Sequence, residues 1–479
     1  MNERPRVVMG EFMSLLSAPR NRSWIGCVDF GTALSKVALI KRKATSRLGA
    51  GDIVPLAVGS REMMATQSPY MLPSLVYVSD GGVLFGAAAQ AAALRGERSG
   101  RQAFSSPKQY LSTHDSDALE ERLTSDIDPT GQYTPRALLT LFLAYLLLQA
   151  QEAAKLAKAP WPVPLRVARP AWDRARAEAG ERTLKSLLLD AFAVVDQLGD
   201  KLQSPGGLAH DDARTALAKI AKSGALNLDQ HSDVFELESG SGKATILEAT
   251  AVAAGLVRRA GRRVVVVVDI GAGTSDFGTF MTGLPGHNVV GEIPAGSQVL
   301  REAGDHIDML MTRHILDQAG IDPNDPAGRA AAARLRVRQR ANKEVLFNDG
   351  EVSVELNDDV RTVKLQDFLG TRRVQEFSDR LRSKFSEALA IAVECARQYS
   401  PRRDRPVPIE IILTGGGHSL PMVTDLVANP PMPWAYTTSL RNISDLADNS
   451  DLRIVARQLA VAVGGAIEDI PQHTAPVRV

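Results

Sequence analysis

The chain has 479 residues, of which 44% are hydrophobic and 23% are charged, and its formal net charge is +1 at pH 7. This length is sufficient for two or three packed cores. A net charge so close to zero gives no general attraction to nucleic acid or to an anionic membrane. Two cysteines, Cys27 and Cys395, are too few for a disulfide framework and have no partner at metal-binding spacing, so we expect a cytoplasmic protein. The longest apolar run, residues 138–148, is shorter than the roughly 20 residues that span a bilayer and predicts a buried helix.

The first half of the chain opens with a weakly apolar segment and then a strand-turn-strand pattern. Residues 1–22 lack a signal-peptide cleavage site, and we expect a loosely packed tail there. The segment WIGCVDFGTALSKVALI (24–40) predicts a buried strand that ends at Asp29, a glycine-containing turn and a second strand. The pattern returns in VVVVVDIGAGTSDFGTF (264–280), where Asp269 follows Asp29 by 240 positions. A duplication of this kind predicts two similar lobes that face each other across a cleft.

Helical patterns lie between and after these strands. Residues 135–158 are rich in Ala and Leu, and residues 377–398 and 452–466 have apolar residues at helical spacing. Strands that alternate with such helices predict an α/β protein. Residues 180–242 fit neither lobe well, since two helical patterns flank a Ser-Pro-Gly-Gly break. The sequence favours a solvent-facing helical insertion here, and the alternative is a docking surface for a protein partner.

A third glycine-rich turn follows the strand pattern IEIILTGGG (409–417). Gly415, Gly416 and Gly417 would let a flat base and a ribose lie against the backbone. The alternative is an ordinary strand-to-helix turn, because Pro421 suits the first turn of the next helix. The two interpretations are compatible.

The two strand-turn-strand segments have the chemistry that a triphosphate requires. Glycines let backbone N–H groups approach phosphate oxygens, and threonine hydroxyls add further contacts. Asp29 and Asp269 suit a Mg²⁺ ion that keeps most of its waters. One D-x-G-T alone is usually an ordinary turn, but two copies and a third glycine-rich turn favour a nucleotide site. The expected phosphate contacts are Gly31, Thr32, Gly271, Ala272, Gly273 and Thr274.

The order D-x-G-T, D-x-G-x-G-T-x-D and T-G-G-G-x-x-x-P resembles that of the actin, sugar-kinase and heat-shock chaperone ATPase superfamily. Several shorter segments are similar to the DnaK-type seventy-kilodalton heat-shock chaperones in particular. These segments are LPSLVY (72–77), LFGAAA (84–89), SPKQYL (106–111), RPAW (169–172), LEATA (247–251) and AGDHID (303–308). The resemblance spans residues 23–466 and implies a two-lobed actin-like ATPase fold, in which duplicated ribonuclease-H-like lobes surround a nucleotide cleft.

The resemblance also implies a domain plan. Lobe I would span 23–260, with a small subdomain at about 41–131 and the helical insertion at about 180–242. Lobe II would span 261–451, with a small subdomain at about 303–372. A final helix, 452–466, would return to lobe I and precede a tail, 467–479. Because thirteen residues are too few for a peptide-binding domain, we expect any chaperone-like role to need a protein partner.

In such a protein Mg-ATP would be hydrolysed slowly to ADP and phosphate. By resemblance, Lys108 would orient the attacking water and Thr274 would contact the γ-phosphate. Glu248 and Pro170 would transmit the nucleotide state outward, and Lys343 would lie at the nucleoside. Without the resemblance, Lys108 would be interpreted as a surface lysine and Glu248 as an ordinary helix-start residue.

The sequence departs from the chaperone pattern at several positions. Ala33 stands where a second threonine is usual, and Ala272 replaces a glycine. Changes at the nucleoside end make adenine preference and turnover less firmly expected than phosphate binding; they are Arg340, Phe347 and Ser419. The alternatives are an actin-like filament or scaffold protein and a non-hydrolysing nucleotide-binding module. The run GSGK (240–243) fails as a P-loop because Ala244 follows the lysine.

Overall fold

The computed structural model describes residues 14–42, 50–59, 68–96, 100–114, 117–169, 172, 174–223, 230–236, 244–255, 263–283, 290–356, 359–400, 407–438 and 450–473. This part of the chain is a mixed α/β structure, as predicted, and it has two six-stranded sheets, a three-stranded sheet and a two-stranded sheet.

The strands, in chain order, are β1 (Trp24–Asp29), β2 (Leu34–Lys41), β3 (Ile53–Leu56), β4 (Leu72–Pro73), β5 (Leu75–Val78), β6 (Val83–Phe85), β7 (Phe104–Ser105), β8 (Leu165–Arg169), β9 (Thr245–Leu247), β10 (Arg263–Ile270), β11 (Ser275–Thr282), β12 (Gly291–Leu300), β13 (Glu351–Leu356), β14 (Asp359–Lys364), β15 (Ile409–Thr414), β16 (Tyr436–Thr438) and β17 (Gln472–His473). The α-helices are α1 (Gly86–Arg95), α2 (Pro107–Thr113), α3 (Pro135–Leu156), α4 (Arg174–Leu198), α5 (His210–Ser223), α6 (Glu248–Ala254), α7 (Gly304–Ala319), α8 (Pro326–Asp349), α9 (Leu365–Leu369), α10 (Arg372–Tyr399), α11 (Pro421–Ala428) and α12 (Ser450–Gly465).

The two six-stranded sheets share one strand arrangement. In the first sheet the order is β3-β2-β1-β8-β9, with β4 paired to β2; in the second it is β16-β15-β10-β11-β12-β17. In both sheets three consecutive strands pair antiparallel, one later strand pairs parallel with the first of the three, and a further strand pairs parallel with that later strand. The sequence duplication therefore corresponds to a repeated arrangement of strands.

Both faces of the second sheet are buried, and this explains its valine run. Val264, Val266 and Val268 face a core that includes α10 and α11. The alternate residues Val265 and Val267 face a core built by α6 and α12, which also contains side chains of the first sheet. A strand buried on both faces is apolar throughout, because successive side chains point to opposite sides. Helices α6 and α12 therefore lie between the two sheets.

Helices α3 and α4 cover the other face of the first sheet in one large core. Within the described ranges, α3 is the one helix long and apolar enough to cross a membrane, and most of it is buried. Helix α4 is buried along one side, where Leu187, Leu188 and Phe192 are inaccessible to solvent. The expectation of a solvent-facing insertion over 180–242 is therefore wrong for α4, because its apolar stripe completes this core.

The first described residues, 14–22, also pack against α4. The Leu15 N–H donates to Asp196 Oδ1 over 2.6 Å, and the Arg20 guanidinium lies 5.0 Å from the centre of the Phe192 ring. A cation above an aromatic face is a stabilising contact. The expectation of a loosely packed tail is therefore wrong for residues 14–22.

We predict that Leu188→Ala destabilises the protein by about 2–5 kcal/mol, because it leaves a cavity in the core between α3 and α4. Leu156→Ala at the exposed end of α3, where the side chain is 61% accessible, is the matched control. It should change stability by less than about 0.5 kcal/mol. Urea unfolding followed by circular dichroism measures both, and equal effects would contradict the position of α4 in the core.

Candidate functional site

One cavity receives residues from both glycine-containing turns and from the turn after β15. All of the sequence-predicted phosphate, cation and nucleoside residues line it, together with Glu248. They are Asp29, Gly31, Thr32, Asp269, Gly271, Ala272, Gly273, Thr274, Lys343, Gly415, Gly416 and Gly417. The structure thus brings together residues that lie up to 388 positions apart in the chain.

The two glycine-containing turns contact each other directly. A Cβ atom built on Gly273 would lie 3.0 Å from Thr32 Oγ1, so only a glycine fits there without displacing that hydroxyl. The Gly271 N–H donates to the Thr274 carbonyl over 2.9 Å and closes the second turn. Ala272 has no positive φ, so the alanine at this position is tolerated. The glycine-containing turns of the two sheets therefore meet at one point.

The third turn packs against the end of β10. Gly415 has φ = 82°, and a Cβ atom there would lie 2.3 Å from the Ile270 carbonyl oxygen and 2.4 Å from Asp269 Oδ1. The Gly417 N–H donates to the same Ile270 carbonyl over 2.9 Å. Glycine at 415 thus allows both the left-handed backbone and the close approach to Asp269.

Negative charge is concentrated beneath these turns. Burial raises the pKa of Asp269 well above its usual value, and Glu248, Asp276 and Asp29 raise it further. Burial and Glu248 also raise the pKa of Asp276 to about 7, although its hydrogen bond from Thr274 Oγ1, 2.6 Å long, acts in the opposite direction. Several carboxylates in one buried site favour the binding of a cation.

Lys36 supplies part of the compensating positive charge, and the motif analysis missed it. Its Nζ lies 2.7 Å from Asp29 Oδ2 and lines the cavity. Asp29 Oδ1 is buried and has no hydrogen-bond partner among the described residues. The pairing of β1 with β2 could have indicated Lys36, because Asp29 and Lys36 lie directly opposite each other on these two strands.

Lys108 is buried behind Glu248 instead of facing the cavity. Its Nζ forms an ion pair with Glu248, and the residue is 4% exposed and absent from the cavity lining. Burial acts to lower the pKa of Lys108, but Glu248, Asp29 and Asp276 outweigh it and raise that pKa. Lys108 therefore remains charged, and Glu248 is the member of the pair that reaches the cavity. The predicted switch residue Pro170 lies outside the described residues.

Lys343 is held by α7 beside the second glycine-containing turn. Its Nζ donates to the Gly304 carbonyl over 3.0 Å and lies 2.9 Å from Asp308 Oδ1. Burial raises the pKa of Asp308 to about 6 despite this lysine. Arg457 also lines the cavity, and its carbonyl accepts a 2.6 Å hydrogen bond from Thr414 Oγ1. No local sequence signal indicated Arg457, since α12 reaches the site only through the tertiary fold.

The arrangement combines anion-binding turns with buried carboxylates. Within the described ranges, no three His, Cys, Asp or Glu side chains converge closely enough to hold a metal ion directly.

No protein-family model matches the chain, and no curated protein sequence is significantly similar to it. The assignment of a function therefore depends on the geometry of the cavity.

We predict that Gly415→Ala lowers the melting temperature, because a Cβ atom at φ = 82° would clash with Ile270 and Asp269. Strain of this kind costs about 1–3 kcal/mol. Gly416→Ala is the control, since no atom lies within 4 Å of the added methyl group, and its melting temperature should equal that of the wild type. Differential scanning calorimetry distinguishes the two variants, and an unchanged Gly415→Ala would contradict the packing of this turn.

Proposed function

We propose that this chain binds ATP and ADP with Mg²⁺ in the cavity between its two large sheets and acts as a slowly hydrolysing molecular switch. The main observation in support of the proposal is that both D-x-G turns line one cavity, where Gly273 lies against Thr32. Backbone N–H groups from two sides suit a polyphosphate better than a single phosphate. The Gly415–Gly417 turn lines the same cavity and suits the nucleoside.

We further propose the two-lobed actin-like ATPase fold, with duplicated ribonuclease-H-like lobes around a nucleotide cleft. The repeated strand order of the two large sheets supports this assignment. So does the position of α6 and α12 in the core between the sheets. Within that superfamily, the resemblance to the nucleotide-binding part of DnaK-type chaperones remains our preferred hypothesis.

The carboxylates fit a hydrated Mg²⁺ ion. Asp29 Oδ1 is buried with no hydrogen-bond partner among the described residues, and the pKa of Asp269 is raised by burial and by neighbouring carboxylates. Mg²⁺ usually keeps several waters, so both aspartates would hold it through those waters. The bound ion would neutralise phosphate charge. Lys36, paired to Asp29, would add a fixed positive charge beside the phosphates.

For hydrolysis, the protein groups available at the cavity are Glu248 and Thr274. We propose that Glu248 orients the attacking water and that Lys108, through its ion pair, holds the Glu248 carboxylate in place. Thr274 would contact the terminal phosphate, with its side chain fixed by the hydrogen bond to Asp276. These groups position reactants and stabilise charge, as phosphoryl transfer requires.

A second candidate function is nucleotide binding without hydrolysis. The burial of Lys108 behind Glu248 favours it, because the lysine expected to contact water directly does not line the cavity. For either function we propose a cytoplasmic location and a protein partner, with neither nucleic acid nor membrane as a ligand. The exposed side of α5, within residues 180–242, is a candidate docking surface.

We predict that Asp269→Asn weakens ATP binding in the presence of Mg²⁺ by about 10- to 100-fold, because a charged contact to the hydrated ion is lost. Binding in EDTA should change much less. Asp80→Asn is the control, since the Asp80 side chain is 93% exposed and outside the cavity. Isothermal titration calorimetry with and without Mg²⁺ measures both variants. An unchanged Mg²⁺ dependence in Asp269→Asn would contradict the assigned cation site.

We predict that the wild type releases phosphate from ATP slowly and that Thr274→Ala and Lys108→Ala reduce the rate at saturating ATP. The loss of one positioning group in phosphoryl transfer lowers the rate by about 10- to 1000-fold. A continuous phosphate assay measures the rate, and ATP titration confirms that each variant still binds. If the wild type binds ATP but is no faster than the variants, the non-hydrolysing alternative is correct.

A further inference from the structure

A hydrogen bond beside the cavity links α2 and α7, two elements that the motifs treat separately. Ser106 Oγ lies 2.9 Å from Asp305 Oδ2, although 199 positions separate the two residues. Ser106 directly precedes α2, the helix that carries Lys108, and Asp305 lies in the first turn of α7 and lines the cavity. The bond therefore joins α2, which lies behind the wall that contains Glu248, to α7, whose first turn is part of another wall.

The backbone of Ser106 is strained in a way that serves this contact. Its φ and ψ angles are 55° and 45°, a left-handed conformation that is uncommon for residues other than glycine, asparagine and aspartate. A serine at this position usually caps its own helix, but the Ser106 side chain makes no capping bond to α2. Its hydroxyl contacts Asp305 instead. A strained residue that gives up a local hydrogen bond for a distant one is a candidate for a functional role.

On the other wall, Asp305 is tied to the second glycine-containing turn. The Asp305 N–H donates to the Ala272 carbonyl over 2.7 Å, and the Gly304 N–H donates to the Gly271 carbonyl over 3.2 Å. A displacement of this turn would therefore move the first turn of α7. Because Ser106 is two residues from Lys108, the same displacement would reach the Lys108–Glu248 ion pair.

A second contact links elements on the same two sides of the cavity. Val337 of α8 packs on the cluster formed by Tyr77, Ala89, Ala92 and Ala93, which belong to β5 and α1. This contact joins the elements that precede α2 to the helix that follows α7. It is apolar, so it favours closure without specifying position, whereas the hydrogen bond specifies position.

We propose that Ser106 and Asp305 form a clasp, meaning this one hydrogen bond, which holds α2 and α7 together beside the cavity and so slows the release of bound nucleotide. Both are positioning residues, because they fix where Lys108 and Glu248 lie relative to the Gly271–Thr274 turn. The proposal rests on the proposed function, since the clasp controls how fast nucleotide leaves. It adds Ser106 and Asp305 to the residues that act at the site.

Three substitutions of Ser106 distinguish the effect of its hydroxyl from the effect of its strained backbone. Ser106→Ala removes the hydroxyl and keeps the strain, and Ser106→Gly removes both. Ser106→Asn tolerates the left-handed backbone and retains an N–H donor for Asp305, so it serves as the rescue variant. Hydrogen exchange of α2 and of the first turn of α7, measured without nucleotide, reports the clasp itself. Dissociation of N-methylanthraniloyl-ATP with Mg²⁺, chased by excess ATP, reports its effect.

We expect Ser106→Ala and Ser106→Gly to accelerate exchange in both segments and to speed nucleotide dissociation about tenfold, as the loss of one hydrogen bond to a carboxylate predicts. Ser106→Asn should restore both values to within about threefold of the wild type. Wild-type exchange and dissociation in Ser106→Gly would overturn the clasp. A purely structural role would instead make Ser106→Gly more stable than Ser106→Ala with no change in dissociation, which also overturns it. If the wild type binds no nucleotide, the proposed function is wrong, and the exchange rates still decide whether the clasp exists.

Discussion

The concentration of carboxylates at the ends of β1 and β10 constrains everything around it. Asp29, Asp269, Asp276 and Glu248 act on one another in a buried environment, where an uncompensated charge is expensive. Lys36 and Lys108 each neutralise one neighbour through an ion pair. Burial first, and the neighbouring carboxylates second, raise the pKa values of Asp269 and Asp276, so the two lysines do not fully offset the repulsion among these acids. A site with such excess negative charge has a physical reason to bind a cation, and the glycine-containing turns above it have a physical reason to bind the anion that accompanies the cation.

The fold determines that these charges come from two sheets. Because both large sheets have the same strand arrangement, each contributes one aspartate at the carboxyl end of its first strand and one glycine-containing turn. Helices α6 and α12 pack between the sheets and fix the separation of the turns. Small residues are required wherever the turns meet, as Gly273 and Gly415 illustrate. The cavity is thus a consequence of duplication together with close backbone packing.

The same geometry separates binding from chemistry. In the proposed function, the turns, Asp29 and Asp269 would bind the charges of the nucleotide and its cation, whereas the Lys108–Glu248 pair and the Ser106–Asp305 hydrogen bond depend on α2 being held against the cavity. Both contacts connect residues from distant parts of the chain. A protein that bound nucleotide with one set of residues and responded to the position of α2 with another set would meet the physical requirements of a switch.

The sequence by itself determined the local elements. The apolar runs that end at Asp29, Asp269 and Thr414 are strands, the helical pattern at 377–398 lies within α10, and the pattern at 452–466 lies within α12 except for its last residue. These predictions succeed because periodicity and glycine-containing turns act over short distances.

Contacts across the chain were decided only by the tertiary structure. The pattern of α4 showed an apolar stripe but not that α3 and the first sheet would cover it, so a core helix was interpreted as a solvent-facing insertion. Lys36 required the strand register, and Arg457 required the return of α12 to the site. The burial of Lys108 depended on Glu248, 140 positions away. Periodicity reveals which face of an element is apolar, but only the packed structure decides what that face meets.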